Sequence, residues 1–588
     1  MRTKVCVRNL AALTMLGAAA CLGNIGDGSG GATPSSGSVA SSTGGSGAGG
    51  SGAASSPGGS DAGVAPGVVN GQPCTQGASF APARLSLISD DQYRNIVHDV
   101  FGVTFPAATD VTVASSNSGS YAYDEGAALQ ATTVQEYQRA ADTVASLMPS
   151  MPPCTTGAVN ATCMETYLRN TLPRAWRRPV TDAEIAGLMA IFNLPNVQSP
   201  TRQIQLTMEA ALIHPAFLFR SELGDATATS TGKVHLTAYE LASALSFAVL
   251  NSVPDPELWA KAQDGSLTQP AVLAGQASRL VALPAVQANL MKKVSYYLDF
   301  EKLPVTQKDP KAYPSFATLQ PTLYQSSQMF LSSILWTGHF NDLFTTRTIY
   351  ANQAMAAAYG LPPVSGTKLQ PVTPTGDMYG AGVLTQPALL AASNTSAAGD
   401  DVIHRGLWVY YNLLCAPALP PPPPNAASVA ATLTGESTRQ QAAYRDGVEP
   451  GVAGSGCGSG CHGRFDPFGL VTMNYDGIGR YRTTDPSTTP PGGPIDSTAS
   501  VPAGVLLGTT TPTPVTGAND IAQLFVKGRQ VSDCAADNLA TYMLEHSPDV
   551  EGSCDLQTVK DSFQASGSFS QLFASILTSP AFATRDIQ

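Results

Sequence analysis

The chain has 588 residues, with 32 Lys and Arg side chains against 43 Asp and Glu and a formal net charge of −11. That length accommodates three or four domains with a sizeable core once targeting and linker segments are set aside. The acidic balance argues against nucleic acid as a partner, because no basic patch is left to neutralise phosphates, while remaining compatible with a basic redox partner protein.

The first segment is a secretory signal over residues 1–20. Arg2, Lys4 and Arg8 form a positive n-region, and Leu10 to Ala20 is an apolar run too short to span a bilayer. The following Leu16-Gly17-Ala18-Ala19-Ala20-Cys21 resembles a bacterial lipobox, in which small residues precede a cysteine that is lipidated and becomes the new N-terminus. Simple cleavage after Ala-x-Ala is the competing reading. Gly23 to Gly63 is almost entirely Gly, Ser and Ala, a flexible tether with nothing to bury. Random-coil statistics give it a reach on the order of 35 Å, enough to hold a folded body off a membrane surface. The expected localisation is an exported lipoprotein, attached to a membrane through Cys21, in the periplasm or on the cell surface.

The body reads as mainly α. Ser89-Asp90-Asp91-Gln92 is a capping box, followed by Tyr93, Ile96, Val97, Val100 and Phe101 on one face and a stop at Gly102. Thr181 to Glu184 repeats the device ahead of Ile185, Leu188, Met189 and Phe192, and Thr237 to Glu240 repeats it ahead of Leu241, Leu245 and Val249, with Pro254 as the stop. Strand signals are confined to short pieces near Val501 to Leu507, and Pro420 to Pro424 reads as an extended polyproline segment. Thr207 to Leu223 is no membrane span, because Glu209, His214, Pro215 and Arg220 interrupt it.

The most informative stretch is Cys457-Gly458-Ser459-Gly460-Cys461-His462. Covalent attachment of haem needs two cysteine sulfurs for the vinyl groups and an adjacent histidine as axial ligand, so Cys457, Cys461 and His462 are the candidate ligands of one haem c, with His462 on the iron. The usual signature has two residues between the cysteines and this chain has three; Gly458 and Gly460 give the backbone freedom to absorb the extra one. A short-range disulfide and a structural zinc site are the rival readings of the same residues. For the second axial position the candidates are Met473, whose thioether would raise the potential, His404, and an open site. Export permits both haem attachment and disulfides. Cys154 with Cys163 and Cys534 with Cys554 are expected to form local disulfides, leaving Cys74 and Cys415 unassigned.

Other chemistry is absent from the motifs: no nucleophile elbow outside the tether, no His-Glu-x-x-His, no phosphate loop and no dinucleotide fingerprint. Asp466 before Pro467 and Asp476 before Gly477 read as turns. Trp176 with Arg177 and Arg178 reads as an aromatic anchor flanked by solvated charges, and His98, His214, His235 and His339 read as structural or surface residues.

Several segments together carry a family resemblance. Leu87 to Gly102, Ala175-Trp176-Arg177-Arg178-Pro179, His214-Pro215-Ala216-Phe217-Leu218-Phe219-Arg220, Leu236 to Ala242, Gly382 to Pro387, Arg405-Gly406-Leu407-Trp408, Asp466-Pro467-Phe468-Gly469 and Tyr475 to Tyr481 resemble, in order, a family of exported bacterial proteins abundant in planctomycetes and myxobacteria. Its pieces are catalogued as domains of unknown function 1595, 1592, 1588 and 1585. The resemblance implies a cytochrome-like third domain carrying the haem motif, and no established reaction. The chain departs from the family at the inserted residue of the haem motif, at Ala244 where relatives often carry Arg, and at Glu545-His546 where they often carry Gly-Arg. The implied organisation is a signal at 1–20, anchor and linker at 21–78, an N-terminal helical segment at 79–150, a 1595-like domain at 151–228, a 1592-like domain at 229–362, a 1588-like domain at 363–485 and a 1585-like domain at 486–588. The expected function is electron transfer by a haem protein; the alternative is a surface binding or scaffold protein, for example for polysaccharide, with the Cys-Cys-His loop stapled by a disulfide.

Overall fold

The three capping boxes form as the side chains dictate. Gln92 N–H donates to Ser89 Oγ at 3.2 Å and Ser89 N–H to Gln92 Oε1 at 3.0 Å, starting the helix Asp90–Phe101, which Gly102 ends at φ 69°. Thr181 with Glu184 starts Asp182–Phe192, and Thr237 with Glu240 starts Ala238–Leu250. Each such cap stabilises its helix by about 1 kcal/mol. The third helix ends before Pro254, at Asn251 in the left-handed region (φ 57°).

The computed structural model describes residues 80–105, 131–148, 160–225, 232–420, 437–446, 461–486, 491–546 and 556–587 apart from positions 198, 377 and 398, together with the pairs 68–69 and 72–73. The signal, Cys21, nearly all of the linker, Cys457 and all of the polyproline run except Pro420 lie outside them. The fold is mainly α, with short two-stranded antiparallel sheets between the helices. Among the described residues, no helix is long and apolar enough to cross a membrane.

Apolar helix faces collect into two principal cores. Tyr93, Ile96, Leu168, Trp176, Leu188 and Phe217 belong to the first; the second runs from Leu241 and Leu245 through Phe330, Tyr359 and Phe468 to Phe569 and Phe573. The sheets join parts of the chain far apart in sequence. Arg84–Leu87 pairs with Phe219–Glu222, and Lys233–His235 pairs with Thr584–Asp586. The strand signal near Val501 is realised as Thr498–Val501 paired with Thr513–Thr516.

A buried charge network locks these seams. Glu222 accepts from Arg84 Nε at 3.0 Å and Arg585 Nε at 2.8 Å, and Arg220 pairs with Glu545. Burial alone would raise the Glu222 carboxyl, but Arg585, Arg84 and Arg220 overcome it and hold the pKa at about 2. Arg84 also donates to Leu544 O at 2.8 Å and Glu545 O at 2.6 Å, placing positive charge at the C-terminal end of the helix Gln530–Leu544.

Two expectations are corrected. Cys534 bonds to Cys415, not to Cys554, across 119 residues. The turn after the π-helical Val409–Leu413 packs on Gln530–Leu544, and Asn538 donates to both sulfurs at 3.2 and 3.4 Å. Cys163 is disulfide-bonded, and its expected partner Cys154 lies outside the described residues. The second correction concerns Arg177, which is not solvated but 4 % exposed. Its guanidinium donates to the carbonyls of Ala216, Phe217 and Phe219 at 2.9 Å, closing the short helix Pro215–Leu218. Burial, aided by Arg220 and Arg178, lowers its pKa to about 9. Trp176 is the anchor expected, buried, stacked on His214 at 4.2 Å and donating to Ala211 O at 3.2 Å.

Candidate functional site

The site is built on two helices, Val402–Trp408 and Gly463–Leu470, that cross backbone to backbone. A Cβ on Gly406 would collide with the carbonyl of Phe465, and one on Gly469 with the carbonyl of Val402, so only glycine permits this approach. The pairing of the two collisions makes the helices antiparallel. Asp466-Pro467, read from sequence as a turn, lies inside the second helix. A widened turn at Cys461 and His462 leads into it, and Pro467 is the fifth residue of the eight-residue helix, so that one N–H is missing from its interior.

Cys461 and His462 therefore stand at the head of a helix whose far end is fixed by the crossing. Cys461 is a free, half-buried thiol whose sulfur lies 3.9 Å from Pro420 O. His462 Nδ1 is 3.3 Å from the Asp466 carboxylate, one helical turn on, and Asp466 is fully buried. A carboxylate at Nδ1 fixes the tautomer with its proton there and leaves the Nε2 lone pair for a metal, the arrangement that outer-sphere carboxylates give to ligating histidines. The Phe465 ring rests against the imidazole at 4.9 Å between centroids. These residues fit the iron-binding half of a haem attachment site: a nucleophilic thiol, an oriented imidazole and an apolar wall. Cys457 lies outside the described residues. Among those described, no three His, Cys, Asp or Glu side chains converge as a metal cluster.

The candidates for the second axial position are not brought to His462. Met473 is 1 % exposed and packs with Val402, Ala442 and Leu470. Leu470 is eight residues along the helix from His462, roughly 12 Å at helical rise. His404 is half exposed and turned toward Asp401, 2.8 Å from its carboxylate, and Thr395 Oγ1 at 3.0 Å.

The segment beyond the helix is held by an arginine that sequence reasoning treated only as part of a motif. Arg405 is 4 % exposed and donates to Tyr475 O at 2.9 Å, Asp476 O at 2.6 Å and Leu390 O at 3.2 Å. Asp476 forms the expected turn, accepting from the N–H groups of Ile478 at 3.0 Å and Arg480 at 2.9 Å. Tyr359, Tyr379 and Tyr475 wrap it; Tyr359 donates to Ile478 O at 2.9 Å and Tyr379 to Gly479 O at 3.0 Å. Tyr475 Oη accepts from Tyr379 N at 2.9 Å, and burial first of all pushes all three phenols well up, so they remain neutral. The missed role is that of Asp466, and its signal was its spacing: a histidine and a carboxylate four residues apart face each other if the segment is helical.

Three family models match the chain in order. Residues 163–222 match PSD5, a protein of unknown function (DUF1595); residues 236–361 match PSD4, a protein of unknown function (DUF1592); and residues 380–485 match PSCyt3, a protein of unknown function (DUF1588). The third match contains both crossing helices and the Asp476 turn, while Tyr359 and Tyr379 lie before it. No curated protein and no solved structure matches the chain.

Proposed function

We propose that this chain, which belongs to the multidomain family in which DUF1595, DUF1592 and DUF1588 follow one another, is an exported c-type haem protein working in single-electron transfer. The observation that carries the reading is the His462–Asp466 pair beside a free Cys461 thiol at the head of a rigidly crossed helix. The cytochrome-like name of the matched third domain supports it. Cys457 and Cys461 would hold the porphyrin edge, and His462 Nε2 would ligate the iron. Asp466 keeps the imidazole in the ligating tautomer and, being buried, stabilises positive charge accumulated on the ring. The Gly406 and Gly469 contacts keep the helix head from shifting. When bound, haem supplies a one-electron couple. Met473 packs with Val402, Ala442 and Leu470, so His462 would hold the iron without it, which would leave bound haem able to take water or a small external ligand. Export and the lipid on Cys21 are part of the same proposal, carried by the signal and the small residues before Cys21.

The test is a reduced pyridine spectrum and an intact mass of protein made in a host competent for cytochrome c maturation. One covalent haem per chain is expected. Colourless protein with no haem mass increment ends the haem reading. In haem-bearing protein, Cys461→Ala weakens or abolishes attachment, whereas His462→Ala changes the spin state more than the covalent yield.

A further inference from the structure

The rings behind His462 form a continuous file to the surface. From the imidazole the centroid spacings are 4.9 Å to Phe465, 6.5 Å from Phe465 to Tyr410 and 5.2 Å from Tyr410 to Tyr411. Phe465 and Tyr410 are buried, at 4 % and 1 %, while Tyr411 is 40 % exposed. The two tyrosines fall in the π-helical turn Val409–Leu413, a wider turn than the α-helix Val402–Trp408 that precedes it, and wide turns of this kind recur at functional sites. The Tyr411 oxygen accepts a hydrogen bond from Leu419 N at 3.4 Å. Its exposed ring gives the phenolic proton a route to water. Among the described residues, no other ring contact leads away from His462.

We propose that Tyr410 and Tyr411 are an oxidative relay, with Tyr411 the surface residue at which electrons enter when the bound haem reduces a hydroperoxide. The inference rests on the haem reading above. The step balances with a ferrous starting state. Cleavage of the hydroperoxide O–O bond would take up two electrons, one that bound haem would supply in passing from ferrous to ferric and one that the Tyr411 phenol would supply by way of Tyr410. The phenol releases its proton to water, two protons are taken up by the cleaved oxygens, and the products are an alcohol, water and a Tyr411 phenoxyl radical. An external one-electron donor then restores the phenol. Phe465 is not oxidised; it provides the close contact across which the electron passes from Tyr410 toward the iron.

The experiment uses the haem-bearing full chain, reduced, mixed with cumene hydroperoxide in the presence of a nitroso spin trap, and then digested for peptide mass analysis. The absorption spectrum is recorded first. The expected result is a trap adduct on Tyr411, absent in Tyr411→Phe and reduced several-fold in Tyr410→Phe, which keeps the buried ring but removes the oxidisable phenol. Both variants should retain the wild-type haem spectrum, which checks folding independently of the radical. Colourless wild-type protein overturns the haem reading and this inference together. Haem-bearing protein whose adduct lies elsewhere, or whose Tyr411 adduct is unchanged in Tyr410→Phe, overturns the relay alone.

Discussion

Removing the Cys415–Cys534 cross-link tests the most consequential correction the structure makes to the sequence. The perturbation is the double substitution Cys415→Ser and Cys534→Ala, the alanine being chosen because Cys534 is 2 % exposed. The bond closes a loop of 119 residues. Loop-closure entropy for that length corresponds to about 5 kcal/mol at room temperature, an upper figure because a compact unfolded chain loses less freedom. Two further terms act in the same direction. Asn538, which donates to both sulfurs and also to Cys534 O at 3.0 Å, loses its sulfur acceptors, and the turn at Cys415, held at φ 46°, loses its tether. Chemical denaturation followed by tryptophan fluorescence should therefore show a loss of several kcal/mol, with the region containing Gln530–Leu544 unfolding first. Reductant should lower wild-type stability more than that of the double variant, which keeps only the disulfide of Cys163 among those described. A non-reducing peptide map that joins Cys534 to Cys554, or a double variant as stable as wild type, would refute the reasoning.

Other outcomes follow from the same geometry. Gly469→Ala should destabilise by about 1–3 kcal/mol, because its Cβ meets the Val402 carbonyl, whereas Gly275→Ala in Pro270–Val281, with open space around it, should stabilise by up to about 1 kcal/mol; thermal melts of the two variants compare them directly. Asp466→Asn, isosteric but uncharged, should leave covalent haem yield near wild type and raise the reduction potential, read by spectroelectrochemistry; an unchanged potential in a folded variant argues against the tautomer role. Glu222 contributes stability that is fully present above its ordinary pKa of 4.5 and is lost as pH falls from there toward about 2, on the order of 3 kcal/mol, so Glu222→Gln should lower stability at neutral pH and flatten the acid limb of the melting curve. Cys21→Ser should move the protein from the membrane fraction to the soluble one; a wild type found wholly soluble with an unmodified N-terminus ends the anchor proposal.

Local signals survived folding because their causes are local. Ser89, Thr181 and Thr237 cap helices through atoms three residues away, so the pattern of four letters contains the whole interaction. The family resemblance likewise rested on contiguous words such as Arg405-Gly406-Leu407-Trp408, and three matching domains bear it out. What failed depended on partners distant in sequence. Cys534 could be paired only by knowing which turn lies on its helix, and spacing does not encode that. Arg177 passed for a solvated charge because its acceptors are carbonyls some forty residues on, exposed at the end of a helix of one turn. Pro467 suggested a turn because proline disfavours helix interiors, yet it lies inside the eight-residue helix Gly463–Leu470, which is packed through Gly469 against a helix about sixty residues earlier. At the site, Cys461 and His462 were legible as a motif, while the carboxylate that orients the histidine was mistaken for a turn residue.

The pairing of Lys233–His235 with Thr584–Asp586, together with the hydrogen bond from Ala83 N to Asp586 O at 2.8 Å, has a consequence for how the protein is made. A chain synthesised from its N-terminal side presents Arg84, Glu222 and Lys233 long before Arg585 is made. Until then Glu222 has one arginine fewer to face, and one edge of Lys233–His235 has no neighbour. The seam near residue 84 is thus sealed only after residues 584–586 have been made. Interrupted synthesis or clipping before Thr584 would leave the early helices assembled around an open, charged joint, a state that a protease can distinguish from the finished protein.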